Sequence, residues 1–308
     1  MKIKAKPFLK WAGGKNQLLS QFDQYYPNDL SNGVIEKYIE PFIGGGAVFF
    51  EVIQKHKIQS SYIYDTNKDL IITYQSIKNR PELLLEILHK YQSDYDQADE
   101  QKRKNIFLSI RNDFNTQRTE INPMIFSENW MVRAAQFIFL NKTCFNGLFR
   151  LNSKGEFNVP FGGYKKPNIW DKNNILAVSE ALQNTNIELS SYEHCFNLAN
   201  DKTFIYFDPP YRPISKTASF TTYTGFEFTD VEQIKLSHFF RKLDTQKNSK
   251  LMLSNSDPKN ENPNDNFFEK LYDGYQVHRV YAKRMINCNA EKRGKINELV
   301  ITNYEPSI

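Results

Sequence analysis

The sequence predicts an α/β fold in which a mainly parallel sheet flanked by helices is interrupted by an inserted helical segment carrying a β-hairpin. Short apolar strands alternate with helical stretches toward both ends of the chain, whereas the middle is mainly helical. The 308 residues, 40% of them hydrophobic, are enough for one large core with a smaller insertion. We therefore expect residues 1–74 and 174–308 to form one domain and residues 75–173 a second.

The N-terminal part predicts a βαβ unit. A strand at 38–40 meets a glycine cluster, a helix follows at 47–55, and a second strand at 61–64 ends at Asp65. Residues 67–143 are then mainly helical without a further strand. Pro81 favours a helix start there, because its fixed φ suits the first helical position.

The second half of the chain returns to strands. Residues 148–161 predict a hairpin whose turn lies at 152–155. Beyond it we expect an antiparallel pair at 275–281 and 298–302 to close the sheet. The other elements predicted here are strands at 186–189, 203–207 and 250–253 and a helix at 230–243.

Positive charge is concentrated in three stretches. The net charge is +5, yet residues 1–22 hold five lysines and no acid, and residues 141–172 and 279–295 are also strongly basic. The remainder of the chain is therefore acidic. Segregated positive charge suits a polyanion bound across one face, although three solvated surface segments would give the same pattern.

Membrane, secretory and metal-binding classes are disfavoured. No run approaches the ~20 apolar residues that span a bilayer, and the basic start lacks the apolar segment of a secretory signal. Cys144, Cys195 and Cys288 are odd in number and far apart, which fits free thiols in a reducing cytoplasm. We expect a cytoplasmic protein without a membrane partner or a bound metal.

The most informative motif is Asp-Pro-Pro-Tyr at 208–211, directly after the apolar strand at 203–207. Ligands of open parallel sheets bind outside the carboxyl ends of the strands. Asp208, with the carbonyl of Pro209, could accept both N6 hydrogens of an adenine and direct the nitrogen lone pair at a methyl donor. Tyr211 would stack on the base. A proline-rich turn with an incidental aromatic is the alternative.

A glycine-rich turn follows the first strand, in Glu-Pro-Phe-Ile-Gly-Gly-Gly-Ala at 40–47. Glycines there let the backbone approach a ligand closely. The next strand ends at Asp65, where an acid can chelate ribose hydroxyls. Together the turn and the acid predict a cofactor that contains adenosine, without specifying which one.

A third motif is Lys-Trp-Ala-Gly-Gly-Lys at 10–15. It is not a P-loop, because the spacing of the glycines is wrong and Asn16 replaces the required Ser or Thr. A cation beside Trp11 and a glycine pair suits a carboxylate, such as one end of a cofactor. An ordinary basic arm is the alternative.

These three motifs, in this order, resemble the Dam-like DNA adenine-N6 methyltransferases, including the GATC-type adenine methylases of restriction–modification systems. The resemblance runs from Lys6 to Tyr304. It implies a Rossmann-like methyltransferase sheet, S-adenosylmethionine as the cofactor, and target recognition by residues 75–173. The cofactor-binding residues that it implies are Trp11, Lys15, Glu40, Phe42, Gly44, Gly46, Asp65 and Asp208.

The resemblance also implies a DNA-reading segment at 145–150. Arg150 would bond a guanine edge, while Phe145 and Asn146 insert near the flipped base. The complete set of implied DNA contacts is Lys10, Phe145, Asn146, Leu148, Arg150, Pro160 and Tyr164. Independently of the family, a basic hairpin with aromatics on both arms suits the major groove; a hairpin packed on its own domain is the alternative.

Family members that recognise GATC show this pattern, so the resemblance makes GATC the expected site. The chain departs from the family at Gly163, where relatives often carry Arg, and at Ser191, where many carry the Asp of an Asp-Phe pair.

The expected function is methylation of a flipped adenine in duplex DNA, with a restriction endonuclease as a possible functional partner. The absence of a Pro-Cys pair disfavours cytosine-C5 chemistry. Alternatives are another planar nitrogen, such as cytosine N4, an RNA base or a glutamine amide, and a DNA-binding protein without turnover. A nicotinamide-dependent oxidoreductase would explain only the glycine turn.

Overall fold

The computed structural model describes residues 3–212, 228–283 and 295–306. Cys288 and parts of the basic stretches at 1–22 and 279–295 lie outside the described residues. Cys144 and Cys195 are buried free thiols. Within the described ranges, no helix is both long enough and apolar enough to cross a membrane.

The described residues form a seven-stranded sheet in the order β3-β2-β1-β4-β5-β7-β6. Strands β1 to β5 pair in parallel, and β7 pairs antiparallel with both β5 and β6. The predicted α/β class and the closing antiparallel pair are confirmed. The strands are β1 Lys37–Glu40, β2 Ser60–Asp65, β3 Thr185–Leu189, β4 Thr203–Phe207, β5 Lys250–Ser256, β6 Gln276–Lys283 and β7 Lys295–Thr302.

Helices flank the sheet and fill the interval between β2 and β3, as predicted. Pro81 is the first residue of its helix. Asn67, just after β2, caps the next helix by accepting the N–H groups of Asp69 and Leu70. The α-helices are α1 Leu19–Phe22, α2 Asn28–Ser31, α3 Ala47–Lys55, α4 Lys68–Asn79, α5 Pro81–Gln97, α6 Glu100–Thr116, α7 Asn129–Thr143, α8 Lys172–Ala181, α9 Asp230–Lys247 and α10 Phe267–Leu271.

The stretch at 148–161 doubles back at its predicted turn, but without a regular ladder. The N–H of Gly155 donates to the carbonyl of Asn152 at 2.9 Å, and Leu151 and Phe157 form an isolated bridge. The carboxamide of Asn115 in α6 binds both the N–H and the carbonyl of Phe157, at 2.7 and 3.1 Å. The N–H groups of Asn152 and Asn158 donate to the carbonyls of Glu156 and Arg150 on either side of the bridge, so the Phe157 groups that Asn115 binds lie on the side away from Leu151.

The helical insertion shares its core with the sheet. One apolar cluster joins alternate residues of β1 and β4 to α4, α5, α6 and α7, and a second cluster packs α9 on the opposite face. Arg133 in α7 is 1% exposed and pairs with Asp69 in α4 at 2.8 Å. Its guanidinium also lies over the ring of Phe114. The boundary predicted after residue 74 falls within α4.

Candidate active site

Two of the three motifs meet where the strand order of the sheet reverses. From β1 the chain proceeds outward through β2 and β3, whereas β4 and β5 extend on the other side of β1. The neighbouring carboxyl ends of β1 and β4 therefore form a topological switch point, where open α/β sheets bind ligands. The glycine turn follows β1, and the Asp-Pro-Pro-Tyr segment at 208–211 follows β4.

The carboxylate of Asp208 is held from two sides. The Nζ of Lys15 lies 2.8 Å from Oδ2, and the Oγ of Ser254 in β5 donates to Oδ1 at 2.9 Å. Burial raises the pKa of Asp208 above its usual value, while the charge of Lys15 and the hydrogen bonds from Lys15 and Ser254 oppose that shift. Asp208 is thus a fixed hydrogen-bond acceptor beside a lysine.

Lys15 brings the third motif into the site. It opens the short 3-10 turn Lys15–Gln17, and it is 3% exposed. Its ammonium lies 4.6 Å from the centroid of the Tyr211 ring and also donates to the carbonyl of Gly13. The role expected for Lys15, holding a cofactor carboxylate, stays a prediction, because the carboxylate that it pairs with here is that of Asp208.

Tyr211 is anchored by a residue that the sequence did not single out. Its hydroxyl donates to the Oε2 of Glu298 in β7. Burial raises the pKa of both Tyr211 and Glu298. The hydrogen bond of the phenol therefore fixes the Tyr211 ring beside Asp208. Pro209, which lies between Asp208 and Tyr211 in the sequence, is buried.

The glycine turn has no room for side chains. Gly44 and Gly46 have φ values of +46° and +72°, in the left-handed region that favours glycine. A Cβ added to Gly44 would lie 2.8 Å from the Cδ1 of Trp11, so the indole lies directly on this turn. Tyr74 from α4 donates to the carbonyl of Gly44 at 3.1 Å.

Asp65 ends β2 beside the same turn. Its Oδ2 accepts the N–H of Gly44 at 3.2 Å, and its Oδ1 accepts the N–H of Asn67 at 2.9 Å. Burial raises the pKa of Asp65 to about 6, although these hydrogen bonds oppose the shift. A carboxylate at this position can accept hydrogen bonds from sugar hydroxyls.

Glu40 and Phe42 lie at the end of β1 in different environments. Glu40 is 2% exposed and accepts the hydroxyl of Tyr38 at 2.6 Å, and burial raises its pKa. Phe42 is half-buried and stacks on Tyr192, with the ring centroids 5.6 Å apart. The charges of Asp208 and Lys15 both influence the pKa of Glu40. The site is therefore rich in carboxyl groups around one lysine.

The predicted DNA-facing segment is an exposed turn. A 3-10 turn at Phe145–Gly147 follows α7, and Asn146 adopts a φ of 57°. The side chains of Phe145 and Leu148 are 51% and 37% exposed. Four other residues of the predicted set are exposed, namely Lys10, Asn146, Arg150 and Pro160.

Buried and aromatic contacts hold this turn from behind. The hydroxyl of Tyr164 accepts the N–H of Asn146 at 3.1 Å, and the ammonium of Lys10 lies 4.8 Å from the centroid of the Tyr164 ring. The Nε of Arg150 donates to the Oδ1 of Asn158 at 2.8 Å. The structure thus brings Lys10, Asn146 and Tyr164 together.

Trp11 lies between the two regions. Its ring covers the glycine turn and also stacks on Phe149, with centroids 6.1 Å apart and planes 17° apart. Phe149 belongs to the segment at 145–150. The predicted cofactor turn and the predicted DNA-facing segment are therefore separated by one indole.

Residues 11–286 match the family model described as D12 class N6 adenine-specific DNA methyltransferase. The chain belongs to this family. It is accordingly an adenine-specific DNA methyltransferase, and the family that the sequence motifs indicated is confirmed.

Curated relatives match the methyltransferase along nearly its whole length. The Type II methyltransferase M.MjaIII of Methanocaldococcus jannaschii is 47% identical over 98% of this chain and 100% of that protein. The Type II methyltransferase M1.LlaDCHI of Lactococcus lactis is 38% identical over 98% of this chain and 97% of that protein. The DNA adenine methylase of Escherichia coli is 31% identical over 99% and 97%, respectively.

Ser254 and Glu298 are the residues of this methyltransferase site that sequence reasoning missed. Local sequence does not single them out, because Ser254 is followed by two further polar residues and Glu298 follows Asn297. Ser254 reaches Asp208 because β5 pairs with β4, and Glu298 reaches Tyr211 because β7 pairs with β5. Among the described residues, no cluster of three or more potential metal-ligating acids, histidines or cysteines occurs.

Proposed function

We propose that this methyltransferase takes its methyl group from S-adenosylmethionine and delivers it to an adenine rotated out of duplex DNA, within GATC. The observation that carries the proposal is the Asp208 carboxylate at the switch point, with Tyr211 and the glycine turn beside it. Extrusion of the base is needed because N6 is not accessible to an active-site pocket while the base is stacked in the duplex, and it costs roughly a few kcal/mol.

The residues around the glycine turn fit S-adenosylmethionine. Gly44 lets the indole of Trp11 pack directly on the turn, where it can contact the adenosine, and Asp65 can accept hydrogen bonds from ribose hydroxyls. Glu40, Asp208 and Glu298 surround one lysine, which favours a ligand with positive charge. The remaining residues proposed to line this site are Phe42, Gly46 and Lys15.

S-adenosylmethionine supplies an electrophilic methyl group on a sulfonium. The protein contributes position and electrostatics. Asp208 and the carbonyl of Pro209 accept the two N6 hydrogens, while Tyr211 stacks on the ring. A carboxylate has about four lone-pair sites, so Asp208 can accept an amine hydrogen while Ser254 and Lys15 remain bound.

Target recognition falls to residues 75–173, with residues 1–74 and 174–308 forming the catalytic domain. Arg150 bonds a guanine edge, and Phe145 and Asn146 occupy the space beside the extruded base. Exposure of these three side chains supports the assignment. The remaining DNA contacts in this proposal are Lys10, Leu148, Pro160 and Tyr164.

The cellular setting is part of the same proposal. Two similar proteins are named Type II methyltransferases, which supports a place in a restriction–modification system with an endonuclease as functional partner. The buried free thiols of Cys144 and Cys195 are compatible with the reducing cytoplasm that was expected.

The test is methylation of defined duplexes with labelled S-adenosylmethionine. One duplex carries GATC, others replace each base of that site in turn, and a last one contains only cytosine targets. We expect N6-methyladenine in the first duplex alone, identified by mass spectrometry after digestion. Labelled N4-methylcytosine would overturn the chemistry, and equal labelling of all adenine-containing duplexes would overturn the GATC assignment.

A further inference from the structure

Three carboxamide side chains hold the N-terminal arm, defined as residues 5–10, against three different helices. Each carboxamide binds both the N–H and the carbonyl of a single arm residue, as a neighbouring strand would. The pairs are Gln54 of α3 with Ala5, Asn174 of α8 with Lys6, and Asn141 of α7 with Lys10. The six distances lie between 2.8 and 3.1 Å.

Asn141 differs from the other two because it makes an additional hydrogen bond to a residue outside its own helix, whereas the additional bond of Gln54 goes to Phe50 in α3. Its Nδ2 donates both to the carbonyl of Lys10, at 2.8 Å, and to the carbonyl of Gly147, at 2.9 Å. Asn141 is 3% exposed, in the last turn of α7. One buried carboxamide therefore joins the arm to the exposed turn at Phe145–Gly147.

Side-chain packing reinforces this junction. Gly147 has a φ of +64°, and a Cβ added to it would lie 2.5 Å from the Cδ of Lys10. The stem of Lys10 thus lies directly on the backbone of the turn. A shift of the turn therefore displaces the peptide groups of Lys10 as well as its side chain.

The arm leads from this junction into the catalytic site. Trp11, the next residue, covers Gly44 in the glycine turn. Lys15, four residues later, pairs with Asp208 at 2.8 Å. Continuous contacts thus run from Gly147 to the carboxylate of Asp208.

We propose that Asn141 is a positioning residue that couples the DNA-facing turn to Trp11 and Lys15. DNA bound at the turn fixes the position of Gly147, and the Asn141 carboxamide transmits that position to Lys10 and the residues after it. This inference rests on the proposed DNA contact of the segment at 145–150. Turnover, and not only DNA affinity, then depends on the Asn141 side chain, which contacts neither DNA nor the methyl donor.

The experiment compares Asn141→Ala with Asn174→Ala, a matched control that loses the same pair of hydrogen bonds to a lysine backbone but no contact to the turn. Thermal midpoint, kcat and the KM for DNA are measured for both full-length variants. We expect both variants to lower the thermal midpoint. Only Asn141→Ala should lower kcat by about tenfold or more, because small misplacements of catalytic groups carry large rate penalties.

A second variant covers the case in which Asn141→Ala does not fold. Asn141→Asp keeps the side-chain volume and the acceptor for the Lys10 N–H, but it loses the donor to the carbonyls of both Lys10 and Gly147. We expect the same loss of kcat. If every folded Asn141 variant keeps the kcat of Asn174→Ala, the positioning role is overturned.

Arg150→Ala separates this inference from the proposed function. If Arg150→Ala leaves base discrimination unchanged, the DNA assignment of the segment fails, whatever Asn141 does. If Arg150→Ala relaxes discrimination while the Asn141 variants match the control, only the coupling fails.

Discussion

The proposed catalytic centre and the proposed DNA-facing turn differ in how exposed their functional side chains are. Around Asp208 the functional groups are buried or half-buried, and each contacts another: Lys15 pairs with the carboxylate, and Glu298 accepts the hydroxyl of Tyr211. At residues 145–150 the predicted functional side chains are exposed, and the groups that fix them lie behind, at Asn141 and Tyr164.

The difference fits what each region is proposed to bind. A reacting amine gains most from acceptors that are already oriented and removed from water, since no reorganisation is then needed in the transition state. A base edge in a groove must instead be reached by side chains that project from the protein surface. We therefore expect changes at the first region to alter rate and changes at the second to alter choice of sequence.

The largest effect is expected at the centre, from Asp208→Asn. The amide keeps the shape but loses the charge, so Lys15 is left without its partner and the N6 hydrogens meet a weaker acceptor. Single-turnover methylation should fall by about a thousandfold or more. DNA binding measured by fluorescence anisotropy should stay within a few-fold, and a rate near that of the unaltered enzyme would remove Asp208 from the mechanism.

Arg150→Ala should act on sequence choice. Losing a bidentate contact to guanine removes about 1–3 kcal/mol of discrimination, which is roughly tenfold to a hundredfold. The measurement is kcat/KM on GATC against a duplex whose guanine is replaced. Lys154→Ala is the control, because Lys154 lies in the exposed turn at 152–155 and is not among the predicted base contacts. It should leave the ratio of the two kcat/KM values unchanged. A uniform loss on both duplexes would instead indicate a phosphate contact.

The pH dependence of donor binding tests Asp65. Its pKa of about 6 means that the carboxyl becomes neutral as the pH falls below that value. Affinity for S-adenosylmethionine, measured by calorimetry, should then decrease by up to about tenfold per pH unit. Asp65→Asn should bind weakly and flatten this dependence; an unchanged slope would assign it to another group.

Stability has the opposite pH trend at this residue. The folded pKa of Asp65 lies above its usual value, so the folded state binds more protons between about pH 4 and 6. The contribution of Asp65 to the free energy of unfolding is therefore largest at low pH and is lost as the pH rises through 6. Affinity, rather than the thermal midpoint, is the diagnostic measurement.

The smallest effect is expected for Tyr164→Phe. The change removes the acceptor of the Asn146 N–H on a turn that solvent can reach. A net cost of about 0.5–1.5 kcal/mol corresponds to a KM for DNA raised up to about tenfold, with kcat retained. A fall in kcat at saturating DNA would show that this hydrogen bond contributes to catalysis. It would contradict the expectation that changes at the turn leave the rate unaltered.

Local sequence was sufficient for the elements that local forces determine. The apolar strand at 203–207 predicted that Asp208 follows the carboxyl end of a strand, and β4 ends at Phe207 as expected. The strand order that makes this end a switch point was not predicted. The helical interval and the closing strand pair were also predictable from periodicity.

The remaining contacts join residues that are far apart in the sequence, so local patterns could not predict them. Glu298 reaches Tyr211, 87 residues away in sequence, only because β7 inserts between β5 and β6. Asn141 lies in an apolar helix, and its partner Lys10 is 131 residues distant. The segment at 148–161 carries a hairpin pattern, but that pattern does not reveal that Asn115 in α6, 42 residues earlier, binds the N–H and the carbonyl of Phe157.

The carboxamide contacts of the arm also bear on the order in which the chain folds. Ala5, Lys6 and Lys10 bind side chains that lie 49, 168 and 131 residues further along the chain. During synthesis these early residues emerge first, but their partners on α8 and α7 are made much later. Contacts between such distant residues carry a large entropic cost of loop closure. We therefore expect the residues before Trp11 to dock only after α7 and α8 have been synthesised. The enzyme thus completes its catalytic site only after both parts of its sheet and its inserted helices exist.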